Sequence, residues 1–206
     1  AFMKSLMVCF ATGLIALLPA TASAVEEAEY SVLKKDEAME LRAYAASIVA
    51  ETRVEADFED AGNRAFRKLF RYIDGANTAQ QEIAMTAPVS QAPASEKIAM
   101  TAPVAQRPEG VGWVVSFMMP GSYTMDTIPQ PSDPTVQLRV VPAYRAAVVR
   151  YSGFWSENGY REHLQELQSW IAAQNLEVAG DPVWARYDPP FKPWFMRRNE
   201  IIIPVL

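Results

Sequence analysis

The chain has 206 residues, half of them hydrophobic and 21% charged, with a formal charge of -5 and a pI near 5.0. That is enough apolar material for a core without disulfide or metal staples, and the acidic balance argues against nucleic acid as a partner. One cysteine, Cys9, excludes an internal disulfide or a cysteine-based zinc site, and one histidine, His163, excludes a His-Glu-x-x-His helix and a two-histidine facial triad.

Lys4, the apolar run Leu6 to Leu18, Pro19 and the small-x-small sequence Ala22-Ser23-Ala24 read as a secretory signal cut after Ala24. An uncleaved amphipathic or membrane anchor is the alternative. On the first reading residues 1–24 leave with Cys9, and residues 25–206 form one mature domain. That domain is expected to be periplasmic or secreted, with no stable membrane insertion after cleavage.

Tyr30 to Lys34 and Met39 to Glu55 are rich in β-branched and apolar residues and predict strands. Asp57 to Ile73 predicts a helix. Phe58, Ala61, Ala65, Phe66, Leu69, Phe70 and Ile73 recur at three- and four-residue spacing, and Gly75 stops the pattern. Arg64, Arg67, Lys68 and Arg71 crowd the other side of this helix. Next, Ile83-Ala84-Met85-Thr86-Ala87-Pro88-Val89 repeats at a 15-residue offset as Ile98-Ala99-Met100-Thr101-Ala102-Pro103-Val104. A proline near the end of each copy suits an edge strand or a strand end. Trp113 to Met119 predicts a buried strand, and the prolines of Thr127 to Pro134 a loop.

A longer echo relates Ala43–Val49 to Ala143–Val149 at an offset of 100. It predicts that Tyr44 and Tyr144 occupy equivalent places about a pseudo-two-fold axis. A second helix, Glu157 to Gln174, carries the stripe Tyr160, Leu164, Leu167, Trp170 and Ile171, and strands at Val183 to Tyr187 and Glu200 to Val205 close the chain. The expected fold is α+β: two pseudo-symmetric β-β-α-β-β halves forming a distorted, partly closed antiparallel barrel flanked by two long helices.

The sequence holds no Gly-x-Ser-x-Gly elbow, no phosphate-cradling glycine motif and no singled-out carboxylate pair. His163 falls on the flank of the second helix's apolar stripe, where it reads as a partly buried, hydrogen-bonded histidine, with heme or metal ligation and general-base chemistry as the sharper readings. Phe66 and Phe70, one turn apart beside Arg67 and Arg71, suit a flat apolar ligand bearing carboxylates, or equally an amphipathic helix with its rings in the core. Tyr187 to Glu200 packs four aromatics and three prolines into one loop. It is either a stiff cap over a pocket or a connection whose aromatics fill the core.

Three longer motifs appear in a fixed order: Lys97-Ile98-Ala99-Met100-Thr101-Ala102-Pro103-Val104; Gly112-Trp113 leading to Phe117-Met118-Met119-Pro120; and Asp188-Pro189-Pro190 with Arg197-Arg198-Asn199-Glu200-Ile201. With them the chain resembles the SOUL heme-binding family over about Ala28 to Val205, and also the gyrase-inhibitor-like effector-binding domains. The resemblance implies heme or a related tetrapyrrole as ligand, held by a hydrophobic helix face with a basic rim and by the loop before the last strand. Carried onto this sequence, the contact residues are Asn63, Phe66, Phe70, Arg71 and Lys192. The stretch Glu40 to Glu55 lacks the axial histidine assigned in some members, so the heme is expected to be weakly or non-axially ligated, with Tyr44 and Tyr72 as the available oxygen ligands. The implied role is a non-enzymatic carrier or buffer. The alternatives are an effector-type domain for another hydrophobic small molecule, or a hydrolase in the central cleft.

Overall fold

The computed structural model describes residues 25–79 and 95–206. The predicted signal sequence and the first repeat copy lie outside these residues. Nine strands form one antiparallel sheet curled into a half-barrel. They are β1 (Tyr30–Asp36), β2 (Met39–Tyr44), β3 (Ser47–Val54), β4 (Val104–Glu109), β5 (Gly112–Met118), β6 (Val136–Val141), β7 (Tyr144–Tyr151), β8 (Val183–Arg186) and β9 (Asn199–Val205). Helix α1 (Phe58–Ile73) follows β3 and helix α2 (Glu157–Ala173) follows β7. Two further two-residue ladders join Glu26–Glu27 to Thr101–Ala102 and Asn77–Thr78 to Gln130–Pro131.

Across the sheet the strands run β6-β3-β5-β4-β8-β9-β7-β2-β1. Without β1 this order is a palindrome about the β4/β8 pair, in which β2-β3-α1-β4-β5 maps onto β6-β7-α2-β8-β9. The two β-β-α-β-β halves expected from the sequence are therefore present, with each outermost strand added to the other half: β2 pairs with β7 and β6 with β3.

The offset-100 echo misplaces the tyrosines. The equivalent strands β3 and β7 open at Ser47 and Tyr144, 97 positions apart. Tyr44 and Tyr144 are instead direct partners across β2 and β7, their rings stacked at 5.0 Å and 12°. The predicted strand Met39 to Glu55 is two strands, broken at Ala45-Ala46. No glycine or proline marks that turn, so the composition reads as continuous. Val104–Glu109, downstream of the proline in the second repeat copy, is a central strand between β5 and β8. Its Pro108 sits opposite Trp113, next to the turn joining β4 to β5, where a missing N–H is tolerated.

Strand alternation sends one set of side chains to the helices and the other to the concave face. Ala50, Val54, Val115 and Phe117 pack beneath Ala65, Leu69 and Tyr72 of α1. Ala147, Val149, Ile201 and Ile203 pack beneath Tyr160, Leu167 and Ile171 of α2. The helices' first turns meet at Phe58, whose ring stacks on Tyr160 (5.2 Å) and Trp184 (4.5 Å) and meets Trp113 edge-on. The opposite face carries a separate cluster of Tyr44, Ala146, Val148, Ala185 and Ile202. Ser156 caps α2 by accepting from the Gly159 N–H, and Gly75, at φ 117°, takes the left-handed conformation just after α1.

Candidate ligand-binding site

Two surfaces have the chemistry of a ligand site, and they lie on opposite sides of the sheet. The first is the flank of α1. Its buried stripe of Ala61, Ala65, Leu69 and Tyr72 leaves Asn63 and Arg71 exposed and Phe66 partly buried. Phe66 meets Phe117 of the core edge-on at 5.3 Å and lies parallel to Phe70 at 5.9 Å and 12°. Phe70 is 43% exposed. Neither sequence reading of these rings holds for both: Phe66 is half in the core, and Phe70 offers a ring face to solvent. Glu59 and Asp60 in the first turn and Arg71 in the last complement the helix dipole. Lys68 donates to the Thr135 hydroxyl, and Arg64 pairs with Asp60 at 3.5 Å.

Lys192 is engaged within its own loop. Among the described residues no hydrogen bond or ion pair joins it to Asn63 or Arg71, and its ammonium is held by Asp188 at 2.6 Å. Burial alone would raise the Asp188 carboxyl, but hydrogen bonds from Lys192 and the Arg198 N–H outweigh it and hold that group below the ordinary carboxylate range. A chain of contacts nevertheless links the loop to α1. Arg197 donates to the carbonyls of Lys192 and Pro190 and lies over the Trp155 ring at 4.6 Å. On the same ring, at 5.2 Å, lies the guanidinium of Arg186.

Arg186 went unnoticed in the sequence. It rests over Trp184 at 4.8 Å and presses on Gly62 of α1, where a Cβ would fall 2.4 Å from its Nη2. Among the described residues no hydrogen bond or ion pair engages its guanidinium. Burial pushes it down to about 10, with Tyr151 partly offsetting the shift, so it remains a cation at neutral pH. The one sequence signal for it is an arginine inside the apolar strand Val183–Arg186, beside Trp184.

The second surface is the concave face, which encloses a cavity of about 850 Å³ lined by Tyr44, Val49, Met118, Tyr144, Tyr187 and Ile202 among others. None of Asn63, Phe66, Phe70, Arg71 and Lys192 lines it. Behind Tyr187 lies Glu200, fully buried. Its carboxylate accepts from both Nη atoms of Arg42 (2.8 and 3.1 Å), from Arg198 Nε (3.0 Å) and from the Tyr187 hydroxyl (2.8 Å).

The candidate axial ligands named from the sequence have partners within the protein. Burial raises the Tyr44 and Tyr72 hydroxyls well above the ordinary phenol value, and Tyr44 accepts from Arg42. Tyr72 moreover donates to the Pro129 carbonyl. His163 is partly buried, with Nδ1 2.9 Å from Glu166 and its ring on Tyr151 at 4.0 Å, as the plainest sequence reading expects. Among the described residues no cluster of three or more His, Cys, Asp or Glu could hold a metal ion.

Comparison with known proteins agrees with this architecture. The model of the SOUL heme-binding protein family matches residues 25–204. Heme-binding protein 1 of Xenopus tropicalis is 26% identical over 184 residues, covering 86% of this chain and 90% of that protein. The Mus musculus protein of the same name is 26% identical over 170 residues, covering 82% and 84%. Among solved structures, the EcmrR C-terminal domain has a TM-score of 0.55 at 15% identity, covering 86% of this chain and 98% of that one. A hydrolase from Listeria innocua has a TM-score of 0.52 at 10% identity, covering 84% and 94%. At such identities the two structures speak for the fold alone.

Proposed function

The chain belongs to the SOUL heme-binding protein family, and from that premise we propose that it carries or buffers heme on the open flank of α1. The observation that carries this reading is the Phe66–Phe70 pair: two parallel rings, one open to solvent, on a helix with four basic residues in an acidic protein. A flat macrocycle laid there covers its apolar face, while Arg67 and Arg71 meet its carboxylates. Arg186 is a further cation for a carboxylate, beside Gly62 on the same helix. Heme is cargo in this reading, bound without enzymatic chemistry. In this reading the heme is weakly or non-axially ligated, and the binding rests on ring contact and charge. Cleavage after Ala24 would place the protein in the periplasm or outside the cell, and an intact mass beginning at Val25 in host-derived protein checks it.

Titration of the protein with heme, followed at the Soret band, tests the proposal. Saturable binding is expected, and His163→Ala should leave the titration unchanged. Loss of the Soret shift in folded His163→Ala protein would mean axial ligation from α2 and overturn the site. Arg186→Gln should weaken binding by about tenfold, the scale of one charge-assisted hydrogen bond, and added salt should shrink the difference. Unchanged affinity at low salt would remove Arg186 from the site.

The cavity of about 850 Å³ favours a second reading, a small hydrophobic molecule other than heme held among Tyr44, Tyr144 and Tyr187. Binding lost in Tyr144→Ala but retained when Phe66 and Phe70 are replaced would favour it.

A further inference from the structure

The loop from Asp188 to Arg198 turns its apolar side chains away from the protein. Phe191 is 87% exposed and Phe195 60%, and Trp194, Met196 and the nearby Phe154 are exposed too. Phe154 stacks on Trp194 at 5.1 Å, and Trp194 meets Phe195 edge-on at 5.6 Å. Single exposed apolar residues are ordinary, whereas a contiguous aromatic cluster marks an interaction surface.

Two observations say what covers it. The first is how the loop's backbone is satisfied. Lys192 N–H donates to the Pro189 carbonyl, Met196 N–H to that of Pro193, and the Arg197 side chain to those of Pro190 and Lys192. The Trp194 carbonyl accepts from the N–H groups of Gly153 and Arg197. Pro189, Pro190 and Pro193 have no N–H to satisfy. The carbonyls of Pro189, Pro190, Lys192, Pro193 and Trp194 are thereby engaged within the protein and need no partner from a lipid surface. The second is charge. Residues 187–198 hold three basic residues, Lys192, Arg197 and Arg198, against one acid, Asp188, in a chain of net charge -5. A recess of about 390 Å³ on the same side is lined by Lys35, Arg150, Arg197 and Arg198 against Glu37 and Glu40, beside Phe195 and Met196. Aromatic tips beside a local excess of cations suit the boundary between acyl chains and anionic headgroups.

We infer that this loop docks the protein peripherally on an anionic phospholipid surface. Phe191, Trp194, Phe195 and Met196 enter the headgroup boundary, and the exposed Arg150 and Lys35 face lipid phosphates, Lys35 in exchange for its ion pair with Glu40. The contact needs no spanning segment, and among the described residues no helix is long and apolar enough to cross a membrane. The inference is independent of the heme site, because the inserted residues are not those assigned to the cargo.

Vesicles of phosphatidylcholine and phosphatidylglycerol test it, with every chain carrying the same residues 1–24 so that differences report the loop. Phe191→Ser with Phe195→Ser should lower the partition coefficient at least about tenfold, from two lost apolar contacts, with an unchanged melting temperature since both rings are exposed. Brominated phosphatidylcholine should quench tryptophan emission in the parent chain, and Trp194→Phe should remove that quenching. Omitting phosphatidylglycerol or raising salt should weaken binding. Unchanged partitioning of the folded double variant would overturn the inference, as would quenching that survives Trp194→Phe. So would a dimer of this chain that the double substitution dissociates, because a second copy would then be the partner.

Discussion

Glu200→Ala should destabilise the protein by about 3–5 kcal/mol, the scale for removing one partner of a buried ion pair. Glu200 is fully buried, Arg42 is 1% exposed, and both oxygens of the carboxylate are used. The alanine variant leaves Arg42 with Glu40 at 2.7 Å and the Tyr30 ring at 4.1 Å, and Arg198 with Glu27 at 2.7 Å. Neither replaces a carboxylate shared by two guanidiniums. Glu200→Gln should cost less, because the amide still accepts a hydrogen bond although the charge is gone. Arg42→Met combined with Glu200→Leu should cost less than Glu200→Ala alone, since no uncompensated Arg42 remains. Urea unfolding of the four chains measures this. A Glu200→Ala variant within about 1 kcal/mol of the parent would show that the network adds little stability.

That network also marks how far the sequence could be read. Periodicity located both helices, because the stripes of Leu69 and Ile73 in α1 and Leu167 and Ile171 in α2 are set by burial on one side. Duplication was visible from the echo, but its register was not: three positions separate the sequence match from the structural one, and side-chain likeness does not fix strand pairing. Arg42 and Glu200 are 158 positions apart. Each looks like an ordinary surface charge until β2 and β9 come to flank β7. Arg186 was hidden for the same reason. Phe66 and Phe70 were legible because four-residue spacing is local geometry. The aromatic loop could be read only as a choice between capping a pocket and filling the core, because its composition says nothing of direction. The structure takes neither course with Phe191 and Phe195, which face solvent.

Replacing Phe66 and Phe70 together by Ala should weaken heme binding by about a hundredfold. Two rings covering on the order of 100 Å² of a flat ligand supply about 2.5 kcal/mol at roughly 25 cal/mol per Å². The stability cost should be unequal. Phe70 is 43% exposed, with its ring stacked on Phe66, so Phe70→Ala should change stability by less than about 1 kcal/mol. Phe66 packs on buried Phe117, so its loss should cost about 1–3 kcal/mol, below the roughly 3–5 of a fully buried phenylalanine. Phe70→Ala is therefore the informative single change, with affinity lowered in a protein that melts normally. Arg71→Ala should have a smaller effect that fades with salt, as exposed charges are screened. Lys192→Ala should have less effect still, because its ammonium is already shared with Asp188 at 2.6 Å. Heme titration and thermal melting of the same samples separate binding from folding. Unchanged affinity in a folded double variant would move the cargo off α1 and to the tyrosine-lined cavity on the other side of the sheet.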